Sequence, residues 1–287
     1  MKILTQKRAV IGEGPIYNDV EQKLYFTNGL ESEILIYDFN SETLTVKKTP
    51  CGVSAMAFDN KNRLIVATQN GVFILNNDNS LTEIYDTKKY QIKKCNDLKV
   101  APNGDIFVGT MSTIRKAQNK SELDGKLYRI SKDGTVSVLL DHLSLSNGLD
   151  WSVDETKFYH TDSDTCIIKE YNYDKISGNI TPTNRQVEVH GVDGFTISED
   201  GYLYIGCWGH DHVIIVDTAT LKIVKCLTLS KTITTSCAFC GKNFDVLAVT
   251  TTNLNVSLSE YKNAGFTHLI KLGAKGRKPY RFGEKND

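Results

Sequence analysis

The feature that most constrains the fold is a β segment that recurs six times along the chain. Each copy is a polar turn followed by a run that alternates between apolar and polar residues. The apolar residues that match between copies are 40 to 52 positions apart, at Leu24, Leu64, Ile106, Phe158, Leu203 and Leu247. A repeat of this length is typical of one four-stranded sheet per copy. The sequence therefore predicts an all-β chain, a six-bladed β-propeller with four-stranded blades.

The spacing of the copies also predicts how the chain is organised. A propeller folds as one unit, so we expect a single domain over residues 1–287. The longest step contains a polar insertion at 112–125, which we expect to form a loop or lid over one face. A strand within residues 2–10 is expected to pair with residues 267–272 and to close the ring.

Charge and composition narrow the classes of function. The chain has 34 basic and 34 acidic side chains, so it lacks the basic surface of a nucleic-acid-binding protein. Its longest aliphatic run is 213–216, whereas a membrane-spanning helix needs about 20 apolar residues. We expect no signal peptide in the first residues, because they lack an apolar segment, and seven cysteines, an odd number, favour reduced thiols. We therefore expect a cytoplasmic monomer that acts on a small molecule and binds neither nucleic acid nor a membrane.

One position in each repeat is expected to face the propeller axis. It precedes the first short strand of each copy and is occupied by Glu13, Ser54, Asn96, Asn147, Asp193 and Ser236. Equivalent positions of a closed ring converge, so these six side chains are predicted to line one mouth of the central channel.

Four of these six side chains are carboxylates or amides, the oxygen donors that Ca²⁺, Mg²⁺ and Mn²⁺ prefer. Zn²⁺ normally takes nitrogen or sulfur ligands, although an open oxygen site also accepts it. Three or four protein ligands would leave coordination positions for water or substrate, as in catalytic sites. Taken singly, Asn147-Gly148 and Asp193-Gly194 are more typical of turns. Their shared position in separate repeats favours the site for one divalent cation.

Other candidate sites are weaker. The chain has no Gly-x-Ser-x-Gly motif, which disfavours a serine hydrolase. Cys237 and Cys240 form a lone pair that favours core packing, and the six histidines lack metal-binding spacing. His210 follows a Trp-Gly dipeptide and is a candidate substrate contact. The insertion's basic side chains, at 115, 116 and 120, are expected to face solvent.

At these residues the sequence resembles the gluconolactonase / regucalcin (senescence marker protein) / luciferin-regenerating enzyme family. The matching stretches occur in order over nearly the whole chain, at 11–15, 96–97, 107–111, 146–152, 158–163, 192–197 and 235–239. The resemblance implies a six-bladed propeller that holds one divalent cation through Glu13, Asn147 and Asp193. It also implies that Asn96 contacts substrate or water and that Asp193 is the general base. Family enzymes use the cation to polarise the carbonyl of a sugar lactone.

The chain departs from the family pattern around the expected substrate. Lys94 replaces an arginine and loses the bidentate fork of a guanidinium group. Leu98 replaces a glycine, His210-Asp211 replaces a glycine pair, and Asn28 replaces an aspartate. Ile114 lies where a carboxylate is expected. The sequence therefore predicts a metal-dependent hydrolase of small cyclic esters, with its substrate left open.

Three alternatives remain at this point. The first is a non-catalytic calcium-binding regulator of the regucalcin type, and the second is an activity like that of a luciferin-regenerating enzyme. The third, a protein-interaction propeller, usually carries Trp-Asp or Kelch signatures, and the sequence has none of these.

Overall fold

The structure is a computed structural model that describes residues 1–115 and 119–283, and this part of the chain is built from β-strands. The strands up to the middle of the chain are β1 (Lys2–Leu4), β2 (Gly12–Asn18), β3 (Lys23–Asn28), β4 (Glu33–Asp38), β5 (Thr43–Lys48), β6 (Val53–Phe58), β7 (Leu64–Thr68), β8 (Gly71–Leu75), β9 (Leu81–Glu83), β10 (Cys95–Val100), β11 (Ile106–Thr110) and β12 (Gly125–Ile130). The later strands are β13 (Val136–Leu143), β14 (Ser146–Trp151), β15 (Lys157–Asp162), β16 (Ile167–Asp174), β17 (Asn179–Glu188), β18 (Val192–Ile197), β19 (Tyr202–Cys207), β20 (His212–Asp217), β21 (Lys222–Thr228), β22 (Thr234–Cys240), β23 (Val246–Thr251) and β24 (Thr267–Lys271). Short 3-10 helices occupy Gly29–Glu31, Lys120–Glu122 and Ser163–Thr165.

The strands form six four-stranded antiparallel sheets. Five follow the chain directly, as β2–β5, β6–β9, β10–β13, β14–β17 and β18–β21, and the sixth has the order β22-β23-β24-β1. Every apolar residue that defined the repeat lies in the second strand of its sheet. The prediction of an all-β, six-bladed propeller with four-stranded blades is confirmed.

The hairpin between β10 and β11 illustrates why the chain turns where it does. Gly104 has a φ of 83°, a left-handed conformation that glycine adopts without steric cost. Its N–H donates to the Ala101 carbonyl over 2.9 Å, and the Ala101 N–H donates to Asp105 over 2.8 Å. The Asn-Gly dipeptide of the sequence therefore ends one strand and starts the next.

The chain divides into two compact units, and the first comprises Met1–Val53 and Val189–Pro279. Within it, β1 pairs with β24 in register Lys2↔Leu269, which confirms the predicted pairing of the two chain ends. Two apolar clusters fill the spaces between neighbouring sheets. One contains Tyr17, Phe26 and Leu269, and the other contains Tyr204, Phe239 and Val249.

The second unit comprises Ser54–Glu188 and Tyr280–Asp287. Its β10–β13 and β14–β17 sheets enclose an apolar cluster whose centre is aromatic. The Phe107 ring meets the Trp151 ring edge-on at a centroid distance of 5.0 Å, and it meets Phe158 at 5.3 Å. Such edge-to-face contacts add to the stabilisation that comes from burying the rings.

Two further points concern the chain as a whole. The assignment of residues 1–287 to one domain stays a prediction. In the part of the chain that the structure describes, no helix is long and apolar enough to cross a bilayer.

Candidate functional site

The six predicted positions all lie at the start of the first strand, in chain order, of the sheets β2–β5, β6–β9, β10–β13, β14–β17, β18–β21 and β22–β24. Five of them are the second residue of their strand, and Ser236 is the third residue of β22. In five of these strands the pairing register shifts at this point, between 13 and 16, 95 and 98, 147 and 149, 192 and 195, and 234 and 237. A β-bulge re-aims side chains and is common beside functional sites. The repeated bulge therefore distinguishes these positions by their backbone geometry, independently of which side chains they carry.

In the first unit, Glu13 and Asp193 lie on β2 and β18, and both of these strands contact β22. The Thr235 hydroxyl donates to the carbonyl of Gly12 over 2.6 Å, immediately before Glu13. Gly194 abuts Ser236, immediately after Asp193. Asp193 is 4% exposed and Glu13 is half-buried. The Thr235-Ser236 dipeptide thus lies beside both carboxylate-bearing segments.

In the second unit, the equivalent positions of three sheets are linked by hydrogen bonds. The Ser54 hydroxyl donates to the carbonyl of Cys95 over 3.0 Å. The Asn96 side-chain amide donates to the carbonyl of Ser146 over 3.0 Å. Asn147 follows Ser146 and is 6% exposed. The Asn96 side chain is therefore held against the residue that precedes Asn147, and the position of both on a channel mouth stays a prediction.

Lys94 lies directly before β10 in the left-handed conformation, with a φ of 52°. Its N–H donates to Gln69 and its carbonyl accepts from Met111, each over 2.9 Å. Both hydrogen bonds fix the backbone two residues before Asn96. The side chain is half-buried.

Asp97 was not a predicted site residue, although it follows Asn96. The pKa of Asp97 is raised to about 6, chiefly by burial and slightly by the nearby Asp150 carboxylate, while the Lys99 ammonium opposes the increase. Lys99 itself is paired with Asp150 over 2.7 Å. Asn96 and Asp97 thus combine a neutral amide with a carboxyl group whose pKa is raised.

Asn28, which replaces the aspartate of the family pattern, is fully buried in a charged cluster of the first unit. Its Oδ1 accepts from the Val10 N–H over 2.9 Å, and its Nδ2 donates to Glu33 over 2.8 Å. Burial alone would raise the pKa of Glu33, but hydrogen bonds from Lys48, Lys7 and Asn28 lower it to about 2. An aspartate at 28 could accept from Val10 but could not donate to Glu33.

The predicted insertion follows β11 and joins it to β12. Its start is fixed because the Ser112 hydroxyl donates to Asp124 over 2.7 Å. Arg115 is exposed, as predicted, and its guanidinium group pairs with Asp164 over 2.5 Å. Ile114 is 51% exposed, and Lys116 lies outside the described residues. Leu98, by contrast, is buried in the core.

His210 lies on the loop between β19 and β20 and stacks on His212, with ring centroids 5.0 Å apart. Its ring also lies against Gly191, two residues before Asp193. Trp208, on the same loop, is 41% exposed. The loop therefore offers aromatic and imidazole groups next to the segment that carries Asp193.

The donor chemistry fits a hard divalent cation. Glu13, Asn147 and Asp193 offer only oxygen, and two carboxylates offset the charge of one divalent ion. In the described ranges, no group of three or more His, Cys, Asp or Glu side chains could hold a metal ion. The set of Glu13, Asn147 and Asp193 as cation ligands stays a prediction.

Comparison with known proteins identifies the family. A family model described as "SMP-30/Gluconolactonase/LRE-like region" matches residues 11–253. The chain belongs to this family. The match confirms the predicted resemblance.

Members of the SMP-30/gluconolactonase/LRE-like family match the chain over nearly its whole length. "Putative sugar lactone lactonase YvrE" of Bacillus subtilis is 31% identical over 284 residues, covering 96% of each chain. Human regucalcin is 28% identical over 282 residues, covering 94% of each chain.

Solved structures of the family share the fold. A calcium-binding protein, regucalcin, from Agrobacterium tumefaciens superimposes with a TM-score of 0.86 at 23% identity, covering 98% of this chain and 96% of the other. A luciferin-regenerating enzyme gives a TM-score of 0.83 at 26% identity, covering 96% of each chain.

Proposed function

We propose that the protein is a divalent-cation-dependent hydrolase of small cyclic esters, resembling a sugar lactonase. The observation that carries this proposal is the repeated bulge, which sets carboxylates and amides at equivalent positions of separate sheets. Glu13, Asn147 and Asp193 would hold the cation. The family relationship and the named lactonase among its relatives support the reaction class.

A bound divalent cation would supply Lewis-acid polarisation of the ester carbonyl. Asp193 would accept the proton of the attacking water, because it is a carboxylate on the bulged start of β18. A carboxylate beside a cation is a weaker base, so the position of Asp193 relative to the water matters more than its basicity.

Asn96 would orient water or substrate. One of its two amide N–H bonds is directed to the Ser146 carbonyl, which fixes the plane of the amide. The side-chain carbonyl oxygen and the second N–H are thereby oriented as well. Lys94, whose backbone is fixed on both sides, would provide a cationic anchor for a polar group of the substrate.

The loop at 208–211 would tune the choice of substrate. Because His210 lies against the chain that leads to Asp193, it would contact the part of the ester away from the carbonyl. We further propose a cytoplasmic monomer that acts on a small molecule, in keeping with the balanced charge and with cysteines that are all free.

The experiment is a lactone and ester panel assayed on chelator-treated protein after addition of Ca²⁺, Mg²⁺, Mn²⁺ or Zn²⁺. We expect hydrolysis only with an added cation, and a loss of about 10²–10⁴-fold in kcat for Asp193→Asn, the usual contribution of a general base. Asn147→Ala should weaken cation binding. Asp200→Asn, an exposed carboxylate on the same unit, serves as the matched control.

Four outcomes would contradict the proposal. Full turnover by Asp193→Asn or by the chelated protein would exclude the assigned roles. Tight Ca²⁺ binding without turnover of any ester would favour the regucalcin-type regulator, and turnover restricted to a luciferin precursor would favour the luciferin-regenerating alternative.

A further inference from the structure

A buried serine–histidine pair lies behind Asn96 and Asn147. The Ser146 hydroxyl and the His160 Nε2 share a hydrogen bond of 2.7 Å. Ser146 is fully buried and His160 is 3% exposed. The same serine accepts the Asn96 amide on its carbonyl oxygen, over 3.0 Å. Ser146 therefore connects the His160 ring to the Asn96 amide, and Asn147 is the next residue in the chain.

The pair is unsuited to be a nucleophile and base. Gly109 lies so close to the Ser146 hydroxyl that even a β-carbon at 109 would overlap it. A substrate carbonyl, which is larger, has no room there. The imidazole must therefore act through the serine and not on the substrate.

The bulge of β14 explains why a side-chain link is needed at this point. Asn147 is opposite Thr161, whereas the next paired residue, Leu149, is opposite His160, so the ladder skips one residue. At a bulge the extra residue is left unpaired and the ladder is locally disrupted. The Ser146–His160 hydrogen bond crosses between the same two strands at the disrupted step.

His160 is itself held in place from its other side. Its ring stacks on Phe158, with centroids 6.1 Å apart and planes 19° apart. Phe158 is fully buried in the aromatic core of the second unit. The link therefore runs from the rigid core to the bulged residue.

We infer that His160 is a positioning residue that acts through Ser146 to hold Asn147 and Asn96 in the geometry that binds the cation and orients water. The inference rests on the proposed function for what the two asparagines do, but the positioning itself concerns only residues of β10, β14 and β15. It predicts that loss of the imidazole nitrogen changes the site without abolishing the fold.

The test compares His160→Phe, which keeps a ring against Phe158 but lacks nitrogen, with His160→Gln, which can still reach Ser146. Mn²⁺ affinity is measured by calorimetry, the Asn96 and Asn147 side-chain amides by NMR, and stability by thermal unfolding. We expect the Mn²⁺ Kd of His160→Phe to rise about 10-fold, the cost of one lost hydrogen bond to a buried group. His160→Gln should recover part of this loss, and both asparagine amide signals should shift in His160→Phe.

Two controls make the test specific. His142→Phe alters an exposed histidine of the same unit and should leave the amide signals and the Kd unchanged. Ser146→Ala should abolish the difference between histidine and phenylalanine at 160, because the link then has no second partner. A lower Tm for His160→Phe with unchanged Kd and unchanged amide signals would show a merely structural role and overturn the inference.

Failure of the proposed function is recognised separately. Wild-type protein that binds no Mn²⁺ and hydrolyses no ester would refute the cation site. The amide signals of Asn96 and Asn147 would still decide whether His160 positions them, since that readout needs neither cation nor substrate.

Discussion

The Ser236 side chain fills the space that a β-carbon on Gly194 would need. Gly194 directly follows Asp193, so the close approach of β18 to β22 holds the backbone of the proposed general base against the next sheet. Only a glycine permits this approach.

Gly194→Ala should therefore destabilise the protein by about 1–3 kcal/mol, the usual cost of overpacking a well-packed site. Urea denaturation measures this loss. The double variant Gly194→Ala/Ser236→Gly removes the overlapping side chain and should recover much of it. Wild-type stability in the single variant would contradict the close approach.

Asp97→Asn should stabilise the protein at neutral pH. Because burial raises the pKa of Asp97 to about 6, the folded state binds this proton more tightly than the unfolded state. Stability is therefore lost as the pH rises from about 4 through 6. We expect a gain of about 1–2 kcal/mol for the variant at pH 7.5 and little gain at pH 4. Denaturation at the two pH values tests this, with the exposed Asp200→Asn as control, and an equal gain at both pH values would speak against it.

His268→Leu should reduce the sensitivity of the fold to acid. His268 is fully buried in β24, and burial lowers its pKa to about 4 because it disfavours the imidazolium ion. The unfolded state binds the proton first, so stability falls as the pH drops from about 6.5 to 4. Over this pH range, the free energy of unfolding of the variant should fall by about 2–3 kcal/mol less than that of the wild type. Thermal unfolding against pH measures the slope, and the exposed His142→Gln should match the wild type.

Asn28→Asp, which restores the family residue, should destabilise this chain. The new carboxylate could not donate the hydrogen bond that Asn28 gives to Glu33, and it would repel the Glu33 carboxylate. We expect the free energy of unfolding to fall by at least about 2 kcal/mol near neutral pH. The additional change Glu33→Gln removes the repulsion and should restore stability. Urea titrations of the single and double variants decide the matter. Equal stability of Asn28→Asp and wild type would mean that the cluster does not depend on the amide.

The fold could be predicted because its signal is repeated. Each apolar alternation is weak alone, but six copies at similar spacing fix both the strand and its place in the sheet. The pairing of the first strand with β24 was also predictable, because a closed ring leaves only those two segments to complete the last sheet.

The candidate site was predictable only in its positions. The repeated register shift depends on backbone geometry at two facing strands, so the sequence of one strand does not reveal it. His160 was likewise hidden: it and Ser146 both lie in stretches that match the family pattern, but the sequence does not show that their side chains meet across two strands.

Two further features depend on which side chains meet in the folded chain. Arg115 is a solvent-facing charge, as predicted, but the sequence did not identify Asp164 as its partner. Asn28 lacks the carboxylate of the family pattern, and the sequence does not explain why. In the structure its amide donates a hydrogen bond to Glu33, five residues later. Both pairings are decided by how loops fold back, which local sequence does not encode.

The pairing of β1 with β24 has a consequence for biosynthesis. The β1 segment has no strand partner until β24 has been translated. During that interval Ile3 and Leu4 form an unprotected edge, which is a site for association with other nascent chains. Synthesis of β24 therefore ends the exposure of this edge. A pause in translation shortly before residue 267 would prolong the exposure.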